Sequence, residues 1–268
     1  MRKTWPIFIP DSILKNIINQ SKSAEKVLRY ANGSPRLILL VLCLCLAEPA
    51  AITLWEALRG TLGVNPLEIL IREPGRWSLI LLLLALAIAP LRHGLILCST
   101  WSLKSFGKRM PDWNWLIRLR RPIGVASFCY AVVHVAVYVY FDLDLRLDDF
   151  LDDFQNKLYI KMGFISFIFL APLAFTSTDG WMRRLKRNWK RLHSLIYPVS
   201  LLAIWHFLLL SKPGVKEPYI FSLVLFFLLA YRAVQAWKRG FVLQDRIDGT
   251  VPERVVEKLT KYPDDSPK

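Results

Sequence analysis

Six apolar blocks, each close to the length of a bilayer crossing, constrain this fold more than any other feature of the sequence. Charged segments separate them, and in the 268-residue chain the blocks cover residues 37–58, 77–97, 123–141, 160–178, 193–210 and 219–237. A helix needs about 20 apolar residues to cross the hydrocarbon core of a bilayer. Backbone polar groups in lipid must also be bonded within the segment, which favours helices. The sequence therefore predicts an all-α integral membrane protein with a bundle of six transmembrane helices.

The distribution of charge predicts how these helices are oriented. The formal net charge is +15, and the basic residues collect in the N-terminal tail, after the second and fourth blocks, and in the C-terminal tail. The segment after the third block, residues 141–154, is instead strongly acidic. Under the positive-inside rule both termini are cytoplasmic and the acidic segment faces the other side. Because the basic residues flank apolar blocks, they indicate topology, and we expect a lipid bilayer and no nucleic acid as partner.

These patterns predict three regions. Residues 1–35 form a cytoplasmic tail, in which an apolar stripe over residues 13–28 favours an amphipathic helix on the membrane surface, with a mobile tail as the alternative. Residues 36–240 form the transmembrane domain, and residues 241–268 form a second cytoplasmic tail. No internal repeat is evident. The four cysteines lie in or at the ends of apolar blocks and form no CxxC, so we interpret them as packing residues.

Of the four histidines, His134, His193 and His206 lie in the third and fifth apolar blocks, where an imidazole is costly unless it has a partner, and His93 lies beside Arg92 at the cytoplasmic end of the second block. His206 follows His193 by thirteen residues and His134 follows Arg120 by fourteen, each about 20 Å along a helix. The third and fifth spans run in the same direction. His134 and His206 are therefore expected at one depth, towards the outer leaflet. His193 is expected near the cytoplasmic face, level with Arg120 and Arg121.

Two neutral imidazoles at one depth on neighbouring helices are what a six-coordinate b-type haem requires. The sequence contains no CxxCH, which excludes covalent attachment. His193 has no histidine at its level, so it either ligates a second, differently completed haem or hydrogen-bonds a quinone or flavin. An ideal helix turns about 140° over thirteen residues, so Pro198 distorts the helix or His193 precedes it. Arg120 and Arg121 are candidates for holding a flavin phosphate or haem propionates.

Residues 118–138 and 174–207 carry a specific set of motifs. An RR-x-x-G start precedes Y-A-x-x-H, and T-S is followed by R-x-L, W-x-x-L-H-x-L-x-Y and a further histidine. These positions are Arg120, Arg121, Gly124, Tyr130, Ala131, His134, Thr176, Ser177, Arg183 or Arg184, Leu185, Trp189, Leu192, His193, Leu195, Tyr197 and His206. Over roughly residues 64–240 the chain resembles the haem-binding membrane subunit of the bacterial periplasmic methionine sulfoxide reductase system. That family belongs to the ferric reductase-like transmembrane group.

The resemblance implies a b-type haem ligated by His134 and His206, with His193 as a further ligand or cofactor-site residue. It also implies flavin mononucleotide and electrons from the quinone pool or a cytoplasmic flavin reductase. Delivery would be to a periplasmic molybdopterin subunit that reduces methionine sulfoxide in oxidised proteins, from a multi-pass protein of the bacterial inner membrane. The chain departs from the family pattern at 89–91, Ala-Pro-Leu in place of Thr-Pro-Leu, and at 185–186, Leu-Lys in place of Leu-Gly.

Two other functions remain open at this point. About 31 residues follow the sixth block and no glycine-rich dinucleotide fingerprint occurs, so we expect electrons from a quinol or a separate protein rather than directly from NAD(P)H. A stand-alone ferric or cupric reductase would use the same chemistry. A small transporter whose intramembrane histidines relay protons would belong to a different class, and it would lack a haem spectrum.

Overall fold

A computed structural model describes residues 35–101, 110–212 and 214–247, together with Lys26. Within these ranges the chain is helical and contains no strand. The α-helices are α1 Pro35–Arg59, α2 Pro66–Trp101, α3 Asn114–Val137, α4 Leu147–Asn156, α5 Leu158–Phe175, α6 Asp179–Leu185, α7 Arg187–His193, α8 Ile196–Leu210 and α9 Glu217–Ile247. A 3-10 turn, Met110–Trp113, precedes α3 and a π-helical turn, Tyr138–Asp142, follows it. Apart from Lys26, the helix expected over residues 13–28 lies outside the described residues, as does the tail beyond residue 247.

Six helical segments in the described ranges are long and apolar enough to cross a membrane, which confirms the predicted number of spans. They are Ile38–Arg59, Pro66–Thr100, Asn114–Asp142, Leu158–Phe175, Arg187–Leu210 and Glu217–Lys238. The predicted blocks fall within these segments to within a few residues. The protein is therefore an all-α, multi-pass membrane protein.

The second span departs most from the predicted boundaries. Its apolar block begins at Trp77, but α2 begins at Pro66 and carries the charged stretch of residues 71–76 as regular helix. The hydropathy of the sequence did not predict this N-terminal extension of α2, because the apolar block ends where the charged residues begin. The acidic segment after the third span also contains a helix, α4, which the charge pattern did not predict.

Helix α4 is held against the α5 helix by its aromatic face. Phe150 and Phe154, one turn apart, both contact Phe164 of α5. Asp153 accepts a hydrogen bond from the Tyr138 hydroxyl at 2.6 Å and pairs with Lys157 at 2.5 Å. Burial works to raise the pKa of Asp153, but the hydrogen bonds from Lys157 and Tyr138 hold that pKa below its usual range. The acidic helix is thus anchored through one enclosed carboxylate and exposes the others.

The chain divides into two units. One contains residues 1–42 and 88–119, and within it Arg92 donates a hydrogen bond to Asn114 at 2.8 Å. The other contains residues 43–87 and 120–268. Its buried core brings together four of the long helices and consists of Leu79, Leu82, Leu83 and Leu86 of α2, Leu170 of α5, Val199 and Ile204 of α8, and Leu225 of α9.

Small polar residues join the helices of the larger unit in pairs. Ser78 of α2 and Ser127 of α3 each donate a hydroxyl to the other's backbone carbonyl, at 2.9 and 2.8 Å. Ser166 of α5 donates to the carbonyl of Val199 in α8 at 3.1 Å. Serine lets two helix backbones approach closely in a membrane while its hydroxyl finds a carbonyl. The pairs α2–α3 and α5–α8 are therefore each fastened near the middle of the span.

Tyr130 of α3 hydrogen-bonds the backbone of α1 where Pro49 interrupts the helix. Pro49 lies inside α1 and has no N–H to donate, so the helix cannot close regularly around it. The Tyr130 hydroxyl donates to the carbonyl of Leu46 at 2.7 Å and accepts from the N–H of Ala50 at 3.2 Å. One hydroxyl therefore bridges two backbone groups that an unbroken helix would have bonded to each other.

Replacing Tyr130 with Phe should destabilise the protein by about 1–3 kcal/mol, because it leaves a carbonyl and an N–H unpaired in an apolar region. The measurement is the free energy of unfolding in detergent micelles. Tyr140→Phe is the matched control, since that ring is 58% exposed. Equal stability of the Tyr130 and Tyr140 variants would contradict the assignment.

Candidate functional site

His134 of α3 and His206 of α8 face each other across the interior of the larger unit. Their ring centroids are 6.2 Å apart and the ring planes are inclined by 74°. Metal–nitrogen bonds to imidazole are about 2 Å long, so two rings on opposite sides of one metal ion have centroids about 6 Å apart. The structure thus brings together the two histidines that the depth argument paired, at the spacing of two axial ligands.

A backbone carbonyl holds each ring through its Nδ1 atom. The Nδ1 of His134 lies 2.7 Å from the carbonyl oxygen of Ile71, and the Nδ1 of His206 lies 2.7 Å from that of Tyr159. A carbonyl only accepts, so the proton resides on Nδ1 and Nε2 is the nitrogen with a lone pair for a metal. Metal-binding histidines are commonly oriented in this way by a bond from the other ring nitrogen.

A glycine lies against each ring at the point where the helices approach most closely. A Cβ atom built on Gly75 of α2 would lie 2.9 Å from Nδ1 of His134. One built on Gly163 of α5 would lie 2.7 Å from Nδ1 of His206. Both distances are too short for a real side chain. The rings can reach their carbonyls only because these positions lack a side chain.

The two halves of the site repeat each other. In α2 a G-x-x-S motif follows the accepting carbonyl by four residues, as Ile71, Gly75 and Ser78, and in α5 the same spacing is Tyr159, Gly163 and Ser166. Both histidines end an A-x-x-H motif, from Ala131 and from Ala203. No repeat was expected from the sequence, and that expectation is wrong for these contacts. The signals that could have revealed it are A-x-x-H, which occurs twice, and G-x-x-S, which occurs at these two positions and once more at Gly124 and Ser127.

Successive spans alternate in direction, so the second and fourth run the same way and the third and fifth run the other way. The α2–α3 and α5–α8 pairs therefore form a parallel repeat, with an approximate two-fold axis along the membrane normal. That axis passes between the two imidazoles. A ligand held symmetrically by both rings would lie on it.

A cavity of about 650 Å³ contains both rings. This volume is within the usual range for small-molecule and cofactor sites. Its walls follow the repeat and are mostly apolar, with equivalent contributions from the two halves: Leu79, Leu82 and Ala131 on one side, and Phe167, Leu170 and Ala203 on the other.

The donor set fits a metal that brings its own equatorial ligands. The described residues contain no group of three or more His, Cys, Asp or Glu side chains that could hold a bare metal ion. The site instead offers two imidazole nitrogens on opposite sides of an apolar cavity. A porphyrin supplies the remaining four nitrogens, and its macrocycle suits these walls. The residues present therefore fit a six-coordinate haem.

His193 lies outside this cavity and ends α7, while α8 begins at Ile196. The expectation that it precedes the regular helix, stated as one of two alternatives, is confirmed. Pro198 accordingly falls in the first turn of α8, where its missing N–H costs nothing. The structure does not bring His193 to the other two rings.

Contacts with the C-terminal end of α5 hold the His193 ring. The Trp189 ring stacks on it with centroids 3.9 Å apart, and the Trp189 indole donates to the carbonyl of Thr176 at 3.0 Å. The His193 Nε2 lies 3.4 Å from the hydroxyl of Ser177. The T-S and W-x-x-L-H motifs therefore meet in space, and part of their role is to join α7 to α5.

Arg120 and Arg121 lie within electrostatic range of His193, as the comparison of depths predicted. Neither lines the cavity between His134 and His206. Arg121 donates to Asp179 at 2.6 Å, and this hydrogen bond lowers the pKa of the Asp179 carboxyl. The two arginines therefore belong to the end of the protein that carries His193.

Comparison with known families identifies residues 74–204 as a ferric reductase like transmembrane component. This range begins just before Gly75 and includes His134 and His193. It ends two residues before His206, so the second member of the histidine pair lies just beyond it.

Several curated bacterial proteins are similar over most of their length. A protein-methionine-sulfoxide reductase heme-binding subunit MsrQ of Xanthomonas oryzae pv. oryzae (strain MAFF 311018) is 40% identical over 185 residues, 69% of this chain and 76% of the relative. The MsrQ of Xanthomonas campestris pv. campestris (strain B100) is 41% identical over 178 residues, 66% and 73%. That of Herminiimonas arsenicoxydans is 36% identical over 185 residues, 68% and 78%. The chain belongs to the MsrQ family of heme-binding subunits, within the ferric reductase-like transmembrane proteins.

Proposed function

We propose that this protein is a transmembrane electron-transfer subunit in which His134 and His206 are the axial ligands of one b-type haem. The observation that carries this proposal is the spacing of the two rings, 6.2 Å between centroids, with each Nδ1 bonded to a carbonyl. Haem supplies a reversible one-electron couple at the iron. The protein supplies orientation, mostly apolar walls and a fixed tautomer on each histidine.

Contacts within the protein orient both histidine rings. The carbonyls of Ile71 and Tyr159 fix the ring orientations, and the glycines beneath them remove the obstacle to that orientation. A haem held by both His134 and His206 would have no position left for a substrate. Such a site suits electron transfer better than binding and activation of a small molecule.

Electrons enter, on this proposal, at the end that carries His193, Arg120 and Arg121. Positive charge gathers there, and under the positive-inside rule this end is cytoplasmic. A flavin mononucleotide phosphate is a suitable partner for the arginines, and His193 is a suitable hydrogen-bonding or further ligating group. The donor is then a quinol or a cytoplasmic flavin reductase, as the family resemblance implies.

Electrons leave at the opposite, periplasmic end, to a molybdopterin methionine sulfoxide reductase that repairs oxidised proteins. Support comes from the names of the relatives, which are heme-binding subunits of protein-methionine-sulfoxide reductase. Helix α4 belongs to this end and exposes the carboxylates of Asp148, Asp149 and Asp152. These charges would attract a partner that presents a basic face.

Replacing His134 or His206 with Ala should abolish the sharp reduced-haem bands of a six-coordinate site, because either change removes one axial nitrogen. The measurement is the visible spectrum of purified protein reduced with dithionite, together with the pyridine haemochrome ratio of haem to protein. His193→Ala is the comparison and should leave the six-coordinate bands unchanged, whereas a fall in its haem-to-protein ratio would assign His193 to a second haem. An absence of haem bands in the wild type would favour the proton-coupled transporter instead.

Adding a single methyl group beneath either ring should also reduce haem content. Gly75→Ala and Gly163→Ala each place a Cβ within 2.9 Å of a ring atom and push the imidazole from its carbonyl. Gly124→Ala is the matched control, because a Cβ there meets nothing within 4 Å. We expect haem per protein to fall several-fold in the first two variants only. An equal loss in the control would attribute the effect to helix stability rather than to the rings.

A reconstituted system separates the electron-transfer subunit from a stand-alone ferric or cupric reductase. With quinol as donor, electrons should reach a periplasmic methionine sulfoxide reductase only when this protein is present in the vesicles. The measurement is methionine formed from methionine sulfoxide. His134→Ala should abolish the product. Reduction of soluble Fe³⁺ or Cu²⁺ at a comparable rate without the reductase would favour the alternative.

A further inference from the structure

The cavity around the histidine pair is symmetric in its walls and asymmetric at its rim. From Ile71 to Leu82, every α2 residue that lines it except Glu73 has an equivalent in α5 that also lines it. One residue after the accepting carbonyl stands Arg72 in α2 and Ile160 in α5. One residue after the glycine stands Arg76 in α2 and Phe164 in α5. Two cations in one half thus correspond to two apolar side chains in the other.

A haem has a matching asymmetry. Its macrocycle is apolar, but one edge carries two carboxylates, and a carboxylate is costly in an apolar site without a charged partner. In the repeat, the positions equivalent to Arg72 and Arg76 cannot receive that edge, because they are Ile160 and Phe164. Among the described residues that line the cavity, the guanidinium groups are those of Arg72 and Arg76, and the other half contributes one exposed ammonium, that of Lys212 beyond the end of α8.

Arg72 and Arg76 form long, partly exposed ion pairs with neighbouring glutamates. Arg76 reaches Glu73 at 3.3 Å and Glu217 of α9 at 3.4 Å, and Arg72 reaches Glu68 at 3.1 Å. Close charge-assisted hydrogen bonds are about 2.7–2.9 Å long. All of these side chains are a third to a half exposed, so such pairs contribute little and exchange readily. A carboxylate on the bound cofactor could replace Glu217 as partner of Arg76.

The same stretch of α2 positions the ligand. Ile71 accepts the hydrogen bond from His134 and Gly75 lies beneath its ring, so Arg72 and Arg76 each follow a residue that touches the imidazole. Residues 71–76 therefore present backbone contacts to the ligand and two cations to the rim. A cofactor carboxylate bound by Arg72 or Arg76 would therefore lie close to His134.

We propose that Arg76, with Arg72 beside it, binds the carboxylate edge of the haem and so determines which way the cofactor faces in an otherwise two-fold symmetric cavity. This inference rests on the proposed ligation by His134 and His206. It assigns the carboxylates to the α2 rim, and it leaves Arg120 and Arg121 to the other end of the protein.

The test compares the effect of removing the Arg76 guanidinium with the effect of blocking the haem carboxylates, singly and together. Full-length protein in membranes made without haem is loaded with haem or with haem dimethyl ester, in which both carboxylates are blocked. Loss of the cofactor to excess apomyoglobin is then timed. In Arg76→Gln, loss of haem should be roughly tenfold faster than in wild type, the scale of one charged hydrogen bond. Loss of the dimethyl ester should be unchanged.

Three control variants separate this role from helix packing. Arg76→Lys keeps a cation and should restore most of the haem retention. Glu217→Gln removes the contact between α2 and α9 but leaves the guanidinium, so it should hold haem at least as well as wild type. Arg146→Gln removes a cation that is 68% exposed and pairs with Asp149, and it should change nothing.

The outcomes are distinct. Faster loss of haem and of its ester alike in Arg76→Gln, or the same acceleration in Glu217→Gln, would overturn the assignment in favour of a structural ion pair. Unchanged haem loss in both Arg76→Gln and Arg72→Gln, with the six-coordinate spectrum intact, would overturn it while leaving the proposed function standing. Failure of the wild type to take up haem at all would refute the proposed function itself.

Discussion

The hydrogen bond from each Nδ1 atom to a backbone carbonyl is the interaction on which the site depends. An imidazole inside a membrane can point in several directions and carry its proton on either nitrogen. The carbonyls of Ile71 and Tyr159 leave one direction and one tautomer. Because the bond needs the ring flat against a neighbouring helix, it requires glycine at 75 and 163. The serine contacts that join α2 to α3 and α5 to α8 lie within two turns of these glycines and hold the helices at that distance.

The two-fold arrangement of these contacts explains why the histidines match in depth. Two helix pairs that repeat the same motif place equivalent residues at equivalent heights. At the end that carries His193, the two halves no longer have the same residue at equivalent positions. The position in α3 that corresponds to His193 is Arg121, which pairs with Asp179. Among the described residues, a second pair of histidines is therefore not built at that end. A cation and a single stacked imidazole suit an anionic cofactor better than a second bis-histidine haem.

Much of this could be predicted from the sequence, and the reason is physical. The bilayer requires long apolar helices, so the six spans follow from hydropathy, and counting residues along parallel spans paired His134 with His206. The features that the sequence did not reveal are helical segments whose residues are charged, because hydropathy detects only apolar helices. The charged stretch of residues 71–76 continues α2 as helix, and its Ile71 and Gly75 contact the ring of His134. The sequence left open whether Pro198 distorts the helix or His193 precedes it, because the contact of Trp189 with the carbonyl of Thr176 is between residues far apart in any local pattern.

Hydropathy alone did not predict helix α4 in the acidic segment after the third span. Helix α4 has an apolar spacing of one turn between Phe150 and Phe154, but the surrounding aspartates dominate the average. Its aromatic face packs on Phe164, which is the α5 residue equivalent to Arg76 in α2. One half of the cavity rim is therefore closed by an aromatic cluster that also docks the acidic helix, and the other half is left open and cationic. The residues at equivalent positions of the repeat thus differ in kind: they are cationic on the α2 side and, on the α5 side, apolar and in contact with helix α4.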